Sequence, residues 1–415
     1  MLSVVISVLA FAAFLLIVFE DVIHIDKAKS TLFIGTLCWL LAFLFPMHGD
    51  SPPQVNEKLN ENLLEIATLW LFLMSAMTFV AYLNSKGFIS NLVRRFLPNS
   101  LHERTLMFLL GGFAFLFSSF ADNVTATLVS LAVITSLKLD VRKRLKYATL
   151  IVFAVNSGGV SLITGDVTTL MIFLAGKVTI GNLLLLILPS LAAVSALALM
   201  MSVRMRGRVM FEGESLPLER DDIVIAGIFL VTIFLTLLFS ALFMIPPVLT
   251  FLFGLSCMFL IAHQLQRKKT NRNILNYIRE IEFDTLLFFL GVLLLVGILK
   301  EIGVLHQLTN LYTYMEPVYA NYLLGVASAL IDNVPLTAAL LKADVDMDLA
   351  SWLSVTYATG VGGSLLVIGS AAGIIAMSKV KELNFISYLS MGGYLLVAYT
   401  LGYSLVYWVA SEVLG

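Results

Sequence analysis

Apolar runs of membrane-spanning length recur along the chain at 2–19, 31–46, 63–83, 147–175, 180–201, 222–243, 247–263, 283–299, 349–377 and 388–411. A helix needs about 20 apolar residues to cross the hydrocarbon core, so the pattern predicts ten crossings. Two further runs, 105–138 and 319–342, are interrupted near their middles by Asp122-Asn123 and Asp332-Asn333. Both are too short for a pair of full helices at about 1.5 Å per residue, and a polar turn at that depth predicts a re-entrant hairpin. The spans 147–175 and 349–377 carry their own interruptions, where Asn156-Ser157-Gly158-Gly159, Thr164-Gly165-Asp166-Val167-Thr168-Thr169, Thr359-Gly360-Val361-Gly362-Gly363-Ser364 and Gly369-Ser370-Ala371-Ala372-Gly373 place glycine and small hydroxyl residues in mid-span. Non-helical backbone at membrane depth needs protein or a wet cavity beside it. These two spans therefore read as interrupted helices.

Composition agrees. Of 415 residues, 59% are hydrophobic and 13% charged, against about 25% charged in soluble domains, and no stretch remains for a separate soluble domain. A net charge of −1 speaks against a nucleic-acid partner. Cys38 and Cys257 lie inside apolar runs and imply neither disulfide nor zinc site. The first run has no Lys or Arg before it and no small-residue cleavage site, so it is expected to be retained as a helix. If both hairpins return to the side they enter from, 22 Lys and Arg fall in 20–30, 84–104, 138–146, 202–221, 264–282 and 378–387 on one face, while Lys58, Lys177, Lys300 and Lys342 fall on the other. The richer face is cytoplasmic by the positive-inside rule, which predicts both termini outside.

The halves echo one another. Leu71-Phe72-Leu73 through Lys86-Gly87-Phe88 resembles Leu287-Phe288-Phe289 through Ile302-Gly303-Val304, Asp122-Asn123-Val124 resembles Asp332-Asn333-Val334, and Gly158-Gly159 with Gly165 resembles Gly362-Gly363 with Gly369. The organisation expected is two N-terminal helices over 1–60, a first repeat over 61–201, linking helices and loops over 202–280, and a second repeat of opposite orientation over 281–415. The fold class is an all-α polytopic membrane protein, an inverted-repeat secondary transporter with its substrate site near the midplane. Residues 270–282 are expected as a short interfacial helix.

Asp122, Asp166 and Asp332 are the carboxylates expected deepest in the membrane, with no Lys or Arg at comparable depth. Aspartate at a helix centre costs roughly 2.5–3.5 kcal/mol on insertion scales, so each one either caps a broken helix or serves a function. Carboxylate, amide and hydroxyl oxygens suit hard cations, and carboxylates also accept protons. The candidate ion-binding and proton-coupling residues are Asp122, Asn123, Thr125, Asn156, Asp166, Thr168, Thr169, Asp332, Asn333, Ser364 and Ser370, with Na⁺ expected at Asp122, Asn156, Asp166 and Thr168. Asp166 aligns with Ser370, so only the first interrupted helix supplies an acid. Glu61, Glu65, Glu282 and Asp284, at span ends, and His24, His48, His102, His263 and His306, in loops or at span edges, read as solvated or capping groups.

The strings Ile25-Asp26-Lys27-Ala28, Ser75-Ala76-Met77-Thr78, Ala121-Asp122-Asn123-Val124-Thr125, Gly165-Asp166-Val167-Thr168-Thr169, Asp332-Asn333-Val334-Pro335 and Gly362-Gly363-Ser364 through Gly373 resemble the NhaD-type Na⁺/H⁺ antiporters of the ion transporter superfamily over about residues 15–410. The resemblance implies exchange of cytoplasmic Na⁺, often Li⁺, for external H⁺ in a bacterial inner membrane. It also implies a homodimer, no cofactor, and essential or ion-binding roles for Asp122, Asn156, Asp166, Thr168, Thr169 and Asp332. An anion carrier of the same superfamily, for a dicarboxylate, citrate or arsenite, is the alternative, although Asp122 and Asp332 would repel its substrate. An intramembrane aspartyl protease needs Gly-x-Gly-Asp, and Ile163 stands where the first glycine would be.

Overall fold

The computed structural model describes residues 2–18, 25–45, 52–88, 91, 100–135, 137, 139–203, 205–210, 219–266, 276–279, 281, 283–330, 333–343 and 345–414. Among these, eight helices are long and apolar enough to cross a membrane, and the protein is an all-α polytopic membrane protein. Helices α1 (Leu2–Val18), α2 (Lys27–Leu44) and α3 (Pro52–Ser85) open the chain. The last is longer than the apolar run 63–83, because Gln54, Glu57, Lys58 and Glu61 continue the helix outward. The apolar run 105–138 folds as α4 (Glu103–Phe120) and α5 (Asn123–Thr135), divided at Ala121-Asp122.

Helices α6 (Val141–Gly159) and α7 (Val167–Leu174) flank the first mid-span interruption. Helix α6 begins inside the cation-rich segment placed in a loop by the apolar pattern, so Arg142, Lys143, Arg144 and Lys146 form its first turns. A helical run α8 (Ile180–Ser202) follows, then α9 (Arg220–Phe243) and α10 (Pro247–Gln266). Of the interfacial helix expected over 270–282, one turn, Asn276–Arg279, is described. The second half comprises α11 (Phe283–Glu301), α12 (His306–Tyr314), α13 (Pro317–Ala327), α14 (Asn333–Lys342), α15 (Leu349–Gly362), α16 (Ala371–Lys379) and α17 (Gly392–Leu414).

Side-chain contacts give the helix directions. At the start of α4, Glu103 pairs with Lys143 at 2.6 Å and its carbonyl accepts from Tyr147 at 2.8 Å. At its end, Ser119 donates to the Gly158 carbonyl at 2.9 Å. Helices α4 and α6 therefore run parallel, and α5 carries the chain back to the level where α4 began. The second half repeats this: Asn321 donates to the Ser351 carbonyl at 2.9 Å and Ser328 to that of Thr359 at 2.8 Å, so α13 and α15 also run parallel. Both pairs are locked by glycine. A Cβ on Gly158 would stand 2.0 Å from the Phe115 carbonyl oxygen, and one on Gly362 would stand 1.9 Å from that of Gly325.

Helices α2 and α11 run parallel, with the Trp39 indole donating to the Leu294 carbonyl at 2.9 Å. Helix α3 runs antiparallel to α11: Asn62 donates to the Leu293 carbonyl at 3.3 Å and Trp70 to that of Leu286 at 3.0 Å. The apolar pattern gave no sign of strands, yet Ser100–His102 and Arg208–Met210 form a small antiparallel pair. It buries Glu103 beside Lys143, with Gly207 N–H donating to Glu103 Oε2 at 3.1 Å.

Candidate functional site

The interruptions are built so that their freed backbone groups find partners. Asp122 stands before α5 and accepts from the Thr125 N–H at 2.8 Å and the Thr125 hydroxyl at 2.9 Å. Ser370 stands before α16 and accepts from the Gly373 N–H at 3.3 Å. Each side chain satisfies a helix N-terminus that hydrocarbon would leave unpaired. Asp166 occupies the same place before α7, where the Thr168 hydroxyl donates to its Oδ2 at 2.6 Å.

These segments meet around one cavity of about 170 Å³. Its walls include Asp122, Asn123, Asn156, Thr164, Gly165, Asp166, Asn333 and Ser370, together with half-buried Asp26 and Lys27 and exposed Asp284. Asn156 and Asp166 are 1% and 6% exposed. Asn156 Nδ2 donates to the Val152 carbonyl at 2.8 Å and to Ser370 Oγ at 3.2 Å, while its Oδ1 has no hydrogen-bond partner among the described residues. An unpaired buried acceptor is costly. Here it lines a cavity holding carboxylates, so a cation or a water would satisfy it. Asn123 Oδ1 is held by the Ser118 hydroxyl at 2.8 Å.

Six sequence candidates thus share one cavity: Asp122, Asn123, Asn156, Asp166, Asn333 and Ser370. Thr125 and Thr168 lie behind the first wall, each holding an aspartate. Thr169 and Ser364 are not cavity walls; they donate to the Val160 and Val361 carbonyls at 3.4 and 2.6 Å and brace the interruptions. Asp332, Glu282, His24 and His48 lie outside the described residues. Lys27, at the start of α2, lines the same cavity with its Nζ 4.7 Å from the Phe288 ring centroid. Asp26 and Asp284 belong to the cavity as well. Their place follows from α2 packing parallel on α11, a long-range contact that no repeat in the sequence marks.

A second cavity of about 330 Å³ lies further along the same helices, lined by Leu64, Leu69, Met171, Leu174, Leu293 and Leu341. Glu65 and Lys342 also line it and form an ion pair. Helix α7 passes from Val167 on the first cavity to Met171 on the second, and α14 from Asn333 to Lys342. The two cavities are therefore stacked end to end with the aspartates on one side only.

Residues 1–362 match the citrate transporter family, CitMHS. Among curated proteins, the chain is 33% identical to a Na⁺/H⁺ antiporter NhaD of Vibrio cholerae, over 95% of this chain and 89% of the relative. It is 30% identical to a Na⁺/H⁺ antiporter NhaD of Halomonas elongata, over 89% and 81%. Sodium/proton antiporter 1 of Arabidopsis thaliana is 28% identical, over 93% and 69%.

Proposed function

The chain belongs to the citrate transporter family, and we propose that this member is a Na⁺(Li⁺)/H⁺ antiporter of the bacterial inner membrane. It is a membrane transporter, not an enzyme. The observation that carries the cation reading is the unpartnered, buried Asn156 Oδ1 in the wall of a cavity shared with Asp122 and Asp166. A partly dehydrated alkali ion needs several hard oxygen ligands, and the carboxylates, this amide and the Ser370 hydroxyl offer them in one place. Thr168 positions Asp166. Protons compete for the same carboxylates, and that competition couples the two fluxes.

Under the positive-inside topology, Lys27 and Lys29 belong to the cytoplasmic segment 20–30 and Asp284 adjoins the cytoplasmic segment 264–282. The aspartate cavity then faces inward, with the hairpins re-entrant and the halves inverted. The second cavity is the start of the outward path, shut by Glu65 and Lys342. Alternating access consists of moving the aspartates from one cavity to the other. An anion such as citrate meets four described carboxylates, Asp26, Asp122, Asp166 and Asp284, against the ammonium of Lys27, and so is disfavoured. Everted vesicles carrying the protein and a preformed pH gradient test this: Na⁺ and Li⁺ should dissipate the gradient, and citrate or succinate should not. Dissipation by citrate alone would replace this reading with the anion carrier.

A further inference from the structure

Helices α3, α7, α11 and α14 line both cavities, and on each the two linings are four residues apart at their nearest, as with Val334 and Ala338 on α14 or Val167 and Met171 on α7. Four residues rise about 6 Å, so a layer one helical turn thick separates the aspartate cavity from the second one. Thr337 lies inside that layer. Asn333, four residues before it, lines the first cavity and Leu341, four residues after it, lines the second, and residues four apart share one face of a helix. Thr337 is fully buried, and its hydroxyl has no hydrogen-bond partner. Among the described residues, no other unpartnered buried hydroxyl stands on a helix that lines both cavities. The hydroxyls of Thr168 and Thr169 on α7 are already committed, to Asp166 and to the Val160 carbonyl.

The counterpart of Thr337 in the first half behaves differently. Thr127 stands 210 residues before it, the same interval that separates Asn123 from Asn333, and donates to the Asn123 carbonyl at 2.7 Å. That bond to the carbonyl four residues earlier is a common resting place for a helical threonine, and Thr337 does not make it. A buried hydroxyl left unpaired costs stability, whereas its oxygen suits a hard cation. Resting on the cation-exchange reading above, we propose that Thr337 is a further ligand of the transported ion, engaged when the site opens toward the second cavity. In the conformation described here its hydroxyl is enclosed in the layer between the cavities. Once that layer opens, the Thr337 oxygen replaces a water in the shell of an ion leaving or entering on the outer side. Binding from the cytoplasmic side does not use it.

The test compares the Na⁺ dependence of proton movement from the two faces, in everted and in right-side-out membrane vesicles at one fixed pH. Thr337→Val keeps the shape of the side chain and removes the oxygen. It should raise the apparent KM for Na⁺ presented to the outer face by about five- to tenfold, the weight of one neutral polar contact, and leave the value at the cytoplasmic face unchanged. Thr337→Ser keeps the hydroxyl and should stay near the wild type at both faces. Purified Thr337→Val, heated in detergent without Na⁺, should be at least as stable as the wild type, because the fold offers the lost hydroxyl no partner. An unchanged KM at the outer face overturns the proposal, and so does a rise at the cytoplasmic face, alone or with the outer one. Failure of Thr337→Val to insert, or a lower thermal stability, would make the hydroxyl a structural group and overturns it as well. A wild-type protein that moves no protons on Na⁺ addition overturns the antiporter reading first, whereas a responsive wild type with Thr337→Val unaltered overturns the Thr337 ligand alone.

Discussion

Asn156 donates to Ser370 across the crossing of the two interrupted helices, Nδ2 to Oγ at 3.2 Å. Gly360 lies 204 residues after Asn156, and Ser370 lies 204 after Asp166. The reciprocal pair, Gly360 and Asp166, is also in contact: a Cβ on Gly360 would stand 2.9 Å from Asp166 Oδ2. The same contact is made twice with its partners exchanged, once as amide on hydroxyl and once as bare backbone beside a carboxylate. The second half thus sets a hydroxyl, Ser370, against Asn156 and bare backbone, Gly360, against Asp166.

The carboxylates should be indispensable for exchange and dispensable for folding. Asp166→Asn and Asp122→Asn are expected to lower Na⁺-driven proton movement by at least about 100-fold, a loss of some 2.7 kcal/mol in the rate-determining complex, with membrane levels unchanged. Asn156→Ala, which removes the unpartnered Oδ1, should raise the apparent KM for Na⁺ more than it lowers the maximal rate. Proteoliposome exchange at normal rates by Asp166→Asn would remove that residue from the site.

Competition fixes the pH dependence. Below the pKa that governs the site, each unit of acidification should raise the apparent KM for Na⁺ about tenfold, since one unit corresponds to 1.36 kcal/mol of differential binding. Two interacting carboxylates make the rise steeper. Transport assayed at matched internal and external pH checks this, and a KM that stays flat while the maximal rate changes would point to a separate pH sensor.

Gly360 leaves a space beside Asp166 that a larger residue would fill. A methyl there would meet Asp166 Oδ2 and, at 2.2 Å, Val160 Cγ1. Gly360→Ala should destabilise the crossing by about 1–3 kcal/mol, as overpacking generally does, and should shift Na⁺ affinity because Asp166 moves with it. Thermal inactivation in detergent measures the first effect and ion-dependent dequenching the second. Unaltered Na⁺ affinity would show that Asp166 tolerates displacement.

Much of this was legible because the membrane makes broken backbone expensive. Asp-Asn at 122–123 and the Gly-Asp pair at 165–166 announce their positions by standing in apolar runs, and the structure places Asp122 and Asp166 beside one cavity. Lys27 was not legible there. It sits at the edge of a span, where a charge normally means solvent, and only the parallel packing of α2 on α11 turns it toward Phe288. The same limit hid the Ser100–His102 and Arg208–Met210 pairing, since three-residue strands leave no period to read. Thr169 and Ser364 look like ligands by residue type, yet their hydroxyls are directed to backbone carbonyls within the interruptions.

The ion pair between Glu65 on α3 and Lys342 on α14 lies in the wall of the second cavity. If opening that cavity is half of the transport cycle, joining the two positions should arrest it. Cysteines introduced by Glu65→Cys and Lys342→Cys, in a background without Cys38 and Cys257, should lose exchange on reaction with a short cleavable thiol-to-thiol linker and regain it on cleavage. The single variants should be indifferent to the reagent. Full exchange by the linked protein would mean that α3 and α14 do not separate during transport.

The topology under all of these assignments is open to direct measurement. Parallel α4 and α6 return the chain, by way of α5, to the level of Glu103 and Lys143, and α13 and α15 are likewise parallel; the proposed inversion puts the second pair's entry on the opposite face. If the face with 22 cations is cytoplasmic, as the positive-inside rule expects, Lys86 and Lys143 lie on the cytoplasmic side and Lys300 and Asp346 on the outer side. Single cysteines made by Lys86→Cys and Lys143→Cys should both resist an impermeant thiol reagent applied to intact cells. Those made by Lys300→Cys and Asp346→Cys should both react. Labelling of one member only in either pair would mean that the segment between them crosses the membrane, and the aspartates could then no longer be reached from opposite sides through two stacked cavities.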